Sequence, residues 1–274
     1  MSLYQELVRL AGGSVTPRRA GNARRCPFAL ALALWPVTAL AQAGPPYETD
    51  DPDPVEYRHW EFYIATQHVK DPDGVSGTAP HVEVNYGVVP GLQLHLLVPY
   101  AYARPTGGPT AFGPGDIEVG AKVRFVREGR WWPMIGTFVQ TEWPAGDARS
   151  GLGTGRLHVL LPIWLQKSWG RWTSDAGGGY FVNPGPGNRD FWLLGWQAAY
   201  QAGDDLTVGG ELFHTTPDQV GASGSLRTKV GFVLDITPRH HLLASLGYGL
   251  AGARLLQSYL GYQLTVGPGA GFPP

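Results

Sequence analysis

Apolar and polar residues alternate along most of this chain, from about residue 55 to residue 266. In one such segment, Leu94 and Leu96 fall on one side of the chain and His95 falls on the other. A period of two residues is the signature of a β-strand with one apolar and one polar face. Roughly a dozen segments carry this pattern, and it predicts an all-β protein.

The connections between these segments are by turns short and long. The short gaps contain residues 89–91, 127–132, 168–171, 202–205 and 237–240. The longer gaps are rich in glycine and proline and contain residues 69–79, 103–115, 144–155, 183–189, 215–224 and 249–254. Outer-membrane barrels have this rhythm, with short periplasmic turns and longer external loops. We therefore predict a single up-and-down antiparallel transmembrane β-barrel of about 12 strands, with both chain ends in the periplasm.

Three features indicate that the apolar face contacts lipid and that the polar face lines the interior. The polar face carries charges of both signs in the middle of strands, which a dry core rarely tolerates. A barrel of about 12 strands also encloses too wide a space for a purely apolar core. Finally, aromatic residues cluster at strand ends, as in the interfacial girdles of membrane barrels. These residues are Tyr100, Tyr102, Trp131, Trp132, Trp143, Trp169, Trp172 and Tyr200.

The inward polar residues are the candidate functional site. They are Glu61, His81, Glu83, His95, Glu118, Lys122, Arg124, Gln140, Glu142, His158, Asp175, Glu211, Arg227, Lys229 and Asp235. In one interpretation they line a path for a solute and set its selectivity. In the other, members of opposite charge pair across the lumen and brace the barrel. The two roles are compatible, and the bracing role is favoured for any single residue because ion-pair networks are common.

Three residues fit the barrel pattern badly. Arg58 and Lys167 fall on the lipid-facing side, where a charge at the membrane centre would cost about 2–4 kcal/mol. Both lie near the predicted periplasmic ends of their strands, where the charged end of a long side chain reaches water. Pro162 removes a hydrogen-bond donor inside a strand, so we expect a bulge or a local break there.

An N-terminal leader precedes the alternating region. Arginines within residues 18–25 are followed by an apolar run over residues 27–40 and by the small cleavage-site residues Ala41 and Ala43. This pattern predicts a signal peptide over residues 1–43, with a start placed too far upstream as an alternative for its long first part. Residues 44–54 are then a periplasmic lead-in, residues 55–266 the barrel and residues 267–274 a C-terminal tail. The predicted location is the outer membrane of a Gram-negative bacterium.

Composition excludes several classes of protein. The chain has 274 residues and one cysteine, Cys26, which lies in the leader, so the mature chain has neither a disulfide scaffold nor a cysteine zinc site. The leader holds five of the 21 Lys and Arg residues and one of the 22 Asp and Glu residues, which leaves a mature charge of about −5. No basic face for nucleic acid is present.

Several segments resemble a family of outer-membrane proteins known by the name meta-pathway of phenol degradation and often called transporters. The matching text is Pro-Pro-Tyr-Glu-Thr-Asp-Asp-Pro at residues 45–52, Trp-Glu-Phe-Tyr at residues 60–63 and Gly-Asp-Ile-Glu-Val-Gly at residues 115–120. Residues 151–153, 161–168, 177–180 and 210–214 continue it across nearly the whole mature chain. The resemblance implies an outer-membrane barrel with a role near aromatic catabolism, and it supplies no catalytic residue.

Two local motifs permit other interpretations. The acidic residues Asp50, Asp51 and Asp53 would suit calcium, but the glycine and closing glutamate of a calcium loop are missing, and alternate prolines favour an extended lead-in. His214 with Glu211 would suit an outer-membrane acyl hydrolase. The two side chains have opposite phases along the strand, which argues against joint action.

We therefore predict a channel or transporter-like conduit for small molecules, with no enzyme activity, no cofactor and no metal site. Aromatic or hydrophobic solutes are suggested by the resemblance alone. The expected partners are outer-membrane lipid, a small-molecule solute and the barrel-assembly machinery, and no nucleic acid. The alternatives are a lipid-modifying acyl hydrolase and a surface adhesion or structural barrel that acts through the loops at residues 103–115 and 144–155.

Overall fold

The computed structural model describes residues 45–252 and 254–268. The predicted signal peptide with Ala41 and Ala43, and most of the predicted C-terminal tail, lie outside the described residues. The strands are β1 (Trp60–Asp71), β2 (Gly74–Val89), β3 (Leu92–Pro105), β4 (Ala111–Pro114), β5 (Ile117–Val126), β6 (Met134–Trp143), β7 (His158–Trp169), β8 (Trp172–Val182), β9 (Phe191–Gln201), β10 (Leu206–Thr215), β11 (Ser225–Thr237), β12 (His240–Ala251) and β13 (Leu256–Val266). A short 3-10 helix, Ala148–Ser150, lies between β6 and β7.

The strands close into a barrel. Neighbouring strands pair antiparallel in sequence order, and β1 pairs with β13 from Trp60 opposite Val266 to Lys70 opposite Leu256. The short β4 pairs with one end of β3 while β5 pairs with the other end, so β4 and β5 share one position in the wall. The described chain therefore forms a closed barrel of twelve strand positions, and the predicted architecture is confirmed.

Tight connections lie at one end of the barrel, called here the turn end, and contain residues 90–91, 127–133, 170–171, 202–205 and 238–239. The opposite end, the loop end, carries the longer connections, such as residues 144–157 and 216–224. The prediction of a long loop at residues 69–79 is wrong, because β1 and β2 continue to a tight turn at residues 72–73. There, the Oδ1 atom of Asp71 accepts hydrogen bonds from the backbone N–H groups of Asp73 and Gly74, both at 2.7 Å.

The outer face of the barrel is apolar. Leu94 and Leu96 on β3 are 50% and 42% exposed, whereas His95 between them is 3% exposed. Exposed aromatic side chains mark the strand ends, and they include Trp60, Tyr100, Trp131, Trp132, Trp143, Trp169, Trp172, Trp192 and Tyr248. An apolar band of this kind, with aromatic residues at its edges, is the outer surface of a barrel in lipid. Among the described residues, no helix is long and apolar enough to cross a bilayer.

Pro162 and Lys167, the two residues of β7 that fit the barrel pattern badly, are both accommodated by local contacts. Pro162 stays in register with Gly179 of β8, and the pairing of β7 with β6 is interrupted there without a register shift. The Thr137 hydroxyl donates a hydrogen bond of 2.6 Å to the Pro162 carbonyl. Of the two predicted outcomes, a bulge or a local break, the structure has the local break. Lys167 lies beside the turn between β5 and β6, where its Nζ donates to Glu128 Oε1 at 2.7 Å.

The middle and loop-end part of the lumen is packed with apolar side chains, called here the luminal core. Its members are Ala101, Ala103, Phe138, Leu152, Leu160, Trp164, Phe181, Phe191, Leu193 and Phe213. Trp164 is 1% exposed, and Leu152 reaches this core from the loop between β6 and β7. These inward aromatic residues fill space for which the alternation of the sequence predicts polar side chains alone.

Candidate functional site

Residues 46–53, called here the luminal segment, lie inside the barrel. Tyr47, Glu48 and Asp50 are all buried, and the Pro46 carbonyl accepts a hydrogen bond of 2.7 Å from the Ser245 hydroxyl on β12. The sequence predicts that residues 44–54 are a lead-in outside the barrel, and this is wrong for the luminal segment. The reason is electrostatic, because its carboxylates find buried basic partners on the barrel wall.

The first anchor of the luminal segment is Glu48. Its Oε2 accepts a hydrogen bond of 2.9 Å from Arg227 Nη2, and its Oε1 lies 3.4 Å from Lys229 Nζ. Glu211 on β10 accepts hydrogen bonds from the backbone N–H groups of Glu48 and Thr49, the former at 2.9 Å. Charged groups that are removed from water need such partners, so this anchor ties the segment to the wall at β10 and β11.

The second anchor uses the aspartates of the same segment. Lys122 Nζ on β5 lies 2.9 Å from Asp50 Oδ1 and 3.4 Å from Asp51 Oδ1. Arg124 Nη1 donates to Asp53 Oδ1. These residues are the acidic group that would have suited calcium. In the structure they neutralise basic side chains, and no cluster among the described residues has the make-up of a metal site.

Two inward glycines of the wall provide room for the segment. A Cβ atom at Gly195 on β9 would overlap the Thr49 hydroxyl, and a Cβ atom at Gly209 on β10 would lie 2.8 Å from the Tyr47 hydroxyl. Real Cβ atoms essentially never come that close to a neighbour. Any larger residue at these positions would therefore push the segment away from the wall, unless a covalent bond held the two together.

A chain of buried polar side chains follows the wall from β2 to β6. Asn85 Nδ2 donates to Glu83 Oε1 at 2.8 Å, and its Oδ1 lies 2.8 Å from His95 Nδ1. His95 Nε2 in turn lies 3.0 Å from Glu118 Oε1, which accepts a hydrogen bond of 2.5 Å from Gln140. All five side chains are buried. On this side of the barrel, the predicted inward residues pair with one another and brace the wall.

Most of the predicted inward set is buried inside the barrel. Twelve of the fifteen residues are buried, and they are His81, Glu83, His95, Glu118, Lys122, Gln140, Glu142, His158, Asp175, Glu211, Arg227 and Lys229. Glu61 and Arg124 are partly exposed toward the turn end. Asp235 lies near the turn end, where its side chain is 47% exposed and pairs with His241 at 2.6 Å.

Two cavities lie at the turn-end side of the luminal segment. The smaller one has a volume of about 340 Å³ and contacts Tyr47, Asp50 and Asp175. The larger one has a volume of about 410 Å³ and contacts Asp53, Glu61, Glu83 and Lys122, among others. Both reach the edge of the luminal segment, and the luminal core fills the space beyond it.

Asp218 in the loop between β10 and β11 is a buried acid outside the strands. Its carbonyl accepts hydrogen bonds from Arg189 N at 2.7 Å and Asn183 Nδ2 at 3.1 Å. Its carboxylate oxygens have no hydrogen-bond partner among the described residues. Burial raises the pKa of Asp218 to about 7, so the group titrates near neutral pH.

The geometry does not assemble the alternative hydrolase site. Glu211 is buried in the lumen, where it binds the luminal segment. His214 stands three residues further along β10 and has the outward phase of Leu212, which is 40% exposed. The two side chains therefore lie on opposite sides of the wall.

Sequence reasoning missed Glu48, Asp50 and the inward aromatic residues as parts of this interior. The acidic run at residues 48–53 carried a signal, because it complements the inward basic residues Lys122, Arg124, Arg227 and Lys229. That complementarity is visible only once these four residues are known to face one lumen. Phe181 and Phe191 have the inward phase, but nothing in the sequence indicates that apolar residues on a polar strand face pack together in the lumen.

The fold is similar to those of solved outer-membrane channels, whereas no family model and no curated protein sequence matches this chain. The COG4313 outer membrane channel from Pseudomonas putida F1 has 17% sequence identity and a TM-score of 0.67, over 79% of this chain and 98% of that one. The KdgM porin in complex with disordered oligogalacturonate has 13% identity and a TM-score of 0.52, over 74% and 98%. The NanC porin has 7% identity and a TM-score of 0.55, over 74% and 98%. What this chain shares with these proteins is the barrel fold.

Proposed function

We propose that this protein is an outer-membrane channel for small solutes, which its luminal segment and luminal core hold closed in this structure. The observation that carries the proposal is the combination of a lipid-compatible outer face with an interior that contains charged side chains and two cavities. Secretion by the signal peptide and insertion by the barrel-assembly machinery belong to the same proposal.

Opening would require the luminal segment to leave its seat. The segment is attached by ion pairs to the wall, and such pairs can exchange their partners for water when the segment withdraws. Its withdrawal would expose Lys122 and Arg227, which lie 5.1 Å from the ring centres of Phe138 and Phe213. The luminal core would then border an aqueous vestibule, and side-chain movements there would complete the path.

The resemblance to the phenol-degradation family makes aromatic solutes one candidate class. The inward rings of Phe138, Trp164, Phe181 and Phe191 would offer such solutes stacking surfaces along the path. The polar cavities at the turn end favour charged solutes instead.

Planar-bilayer recordings and liposome swelling with the purified protein test the channel proposal. The expected result is brief, infrequent openings for the wild-type protein and a larger mean conductance for a variant that lacks residues 45–53. The Glu48→Gln variant provides a second test if the deletion impairs folding. If neither the wild type nor either folded variant passes ions or solutes, the protein is no channel.

A further inference from the structure

The two turn-end cavities are strongly acidic. Their linings contain seven carboxylates, which are Asp50, Asp51, Asp53, Glu56, Glu61, Glu83 and Asp175. Against them stand Lys122 and Arg171 in the linings and Arg124, which pairs with Asp53. Around these two cavities, the seven carboxylates thus outnumber the three basic groups of the described residues by more than two to one. A cleft lined by one sign of charge concentrates solutes of the opposite sign.

Asp175 is a buried carboxylate in the wall of the smaller cavity. Its side chain forms part of the wall of the smaller cavity and is 4% exposed. On β8 its neighbours across the strands are Gln166 and Gln197, so no basic residue stands opposite it. Its Oδ1 has no hydrogen-bond partner among the described residues. A buried carboxylate without a cation is unfavourable, and the adjoining cavity is where a cation would relieve it.

The remaining lining is mostly polar, with Arg171 as its basic side chain among the described residues. Asp50 also borders this cavity, and its Oδ2 has no hydrogen-bond partner among the described residues. The cavity also contacts Gln166, Gln197 and Gln201, whose amide oxygens accept hydrogen bonds. A volume of about 340 Å³ is much larger than a bare metal ion requires and lies at the lower end of the range for organic ligands.

We propose that the smaller cavity binds a small organic cation with several N–H donors, an ammonium or guanidinium group, and that Asp175 is its main anionic partner. Charge-assisted hydrogen bonds from such donors to carboxylates are among the stronger polar interactions in proteins. If the protein is a channel, as proposed above, this site gives the channel a preference for cationic solutes. The substrate class is then small organic cations.

Liposome swelling with four amino acids of different charge tests the preference. L-Arginine is cationic, L-glutamate is anionic, L-glutamine is neutral and polar, and L-phenylalanine is neutral and aromatic. Arginine is expected to enter roughly tenfold faster than glutamate, the low end of electrostatic enhancement in charged clefts. Equal rates for arginine, glutamine and glutamate would overturn the inference while leaving the channel intact, and so would faster entry of phenylalanine than of arginine.

Calorimetric titration of the purified protein with L-arginine provides a readout that does not depend on passage. The Asp175→Asn variant is expected to weaken arginine binding at least about tenfold, because an interaction with a buried charge is lost. The matched control is Asp204→Asn, which removes the same charge from an exposed turn residue at the turn end and should leave binding unchanged. Gln201→Glu adds a carboxylate of nearly the same shape to the cavity and should tighten binding.

The outcomes separate the two proposals. Binding that is weakened by Asp175→Asn, together with no passage of any solute, would support the cation site and refute the channel. Passage without arginine binding or cation preference would refute the cation site and support the channel. If Asp175→Asn fails to fold, unchanged arginine binding in Gln201→Glu would itself refute the site.

Discussion

The Glu48→Gln substitution tests whether ion pairs hold the luminal segment in its closed position. Gln has nearly the same shape as Glu but no charge, so the change removes the partner of Arg227 and Lys229 while the packing stays similar. Both basic side chains are buried, and Glu48 carboxylate oxygens lie 2.9 Å from Arg227 Nη2 and 3.4 Å from Lys229 Nζ, so the substitution removes a close anionic partner from both in the closed state. The closed state is then penalised more than a withdrawn state in which water reaches the same groups.

The magnitude follows from the burial of the pair. Glu48 Oε2 lies 2.9 Å from Arg227 Nη2, and both side chains are almost fully buried. Breaking a buried pair by removing one partner typically costs about 3–5 kcal/mol. At the lower figure, the ratio of withdrawn to seated segment rises roughly 100-fold, since about 1.4 kcal/mol corresponds to a factor of ten. The open probability of a channel that is mostly closed should rise by a similar factor until it saturates.

Single-channel recording in planar bilayers measures this effect. The matched control is Glu56→Gln, which removes the same charge close to the segment from a side chain that is 87% exposed. The control should leave the open probability within about twofold of the wild type, because exposed ion pairs contribute little. An open probability of Glu48→Gln equal to that of the wild type and the control would refute the role of this ion pair in closure.

Three further substitutions probe other parts of the interior. Gly195→Val should displace the luminal segment by overlap with Thr49 and raise the conductance. Recordings that match the wild type would contradict the claim that Gly195 provides room for the segment. Trp164→Ala should empty part of the luminal core, cost about 3–5 kcal/mol in thermal or denaturant unfolding and raise the conductance, whereas a small loss of stability would show that the core is loosely packed. The raised pKa of Asp218 means that its contribution to stability is present at low pH and lost as pH rises through about 7. Limited proteolysis of the loop at residues 216–224 should therefore speed up from pH 6 to pH 8 in the wild type, while Asp218→Asn should show no such rise.

The barrel could be predicted from the sequence because a strand with one wet and one lipid-facing side has a period of two that local reading detects. His95 and its neighbours Leu94 and Leu96 illustrate this, since their phases alone predict which side each occupies. The tight turn at residues 72–73 was missed because glycine and proline near Gly74 and Pro80 suggested a loop. In the structure, glycine allows close approach of the wall strands, and β2 continues through this region.

The interior was predicted only in part. The inward phase of Glu211 and Arg227 followed from alternation, but their partner Glu48 precedes the first strand, and no periodicity links it to them. Long-range charge pairing of this kind depends on which residues share a lumen, which is a property of the closed fold. The inward rings of Phe181 and Phe191 were overlooked because the polar residues of the same face dominated its interpretation.

A reversible lock between the luminal segment and the wall tests the central claim most directly. A Cβ atom at Gly195 would lie 3.0 Å from the Cβ of Thr49, which is about half an ångström shorter than the usual Cβ–Cβ range of about 3.5–4.5 Å for a disulfide, so a small shift of the segment brings the pair into range. The Thr49→Cys, Gly195→Cys double variant can therefore be closed by oxidation, and Cys26 in the predicted leader is the only native cysteine. Single-channel recording should show no openings in the oxidised protein and frequent openings after a reductant is added. Equal conductance before and after reduction, with the disulfide verified by mass spectrometry, would contradict closure by the luminal segment.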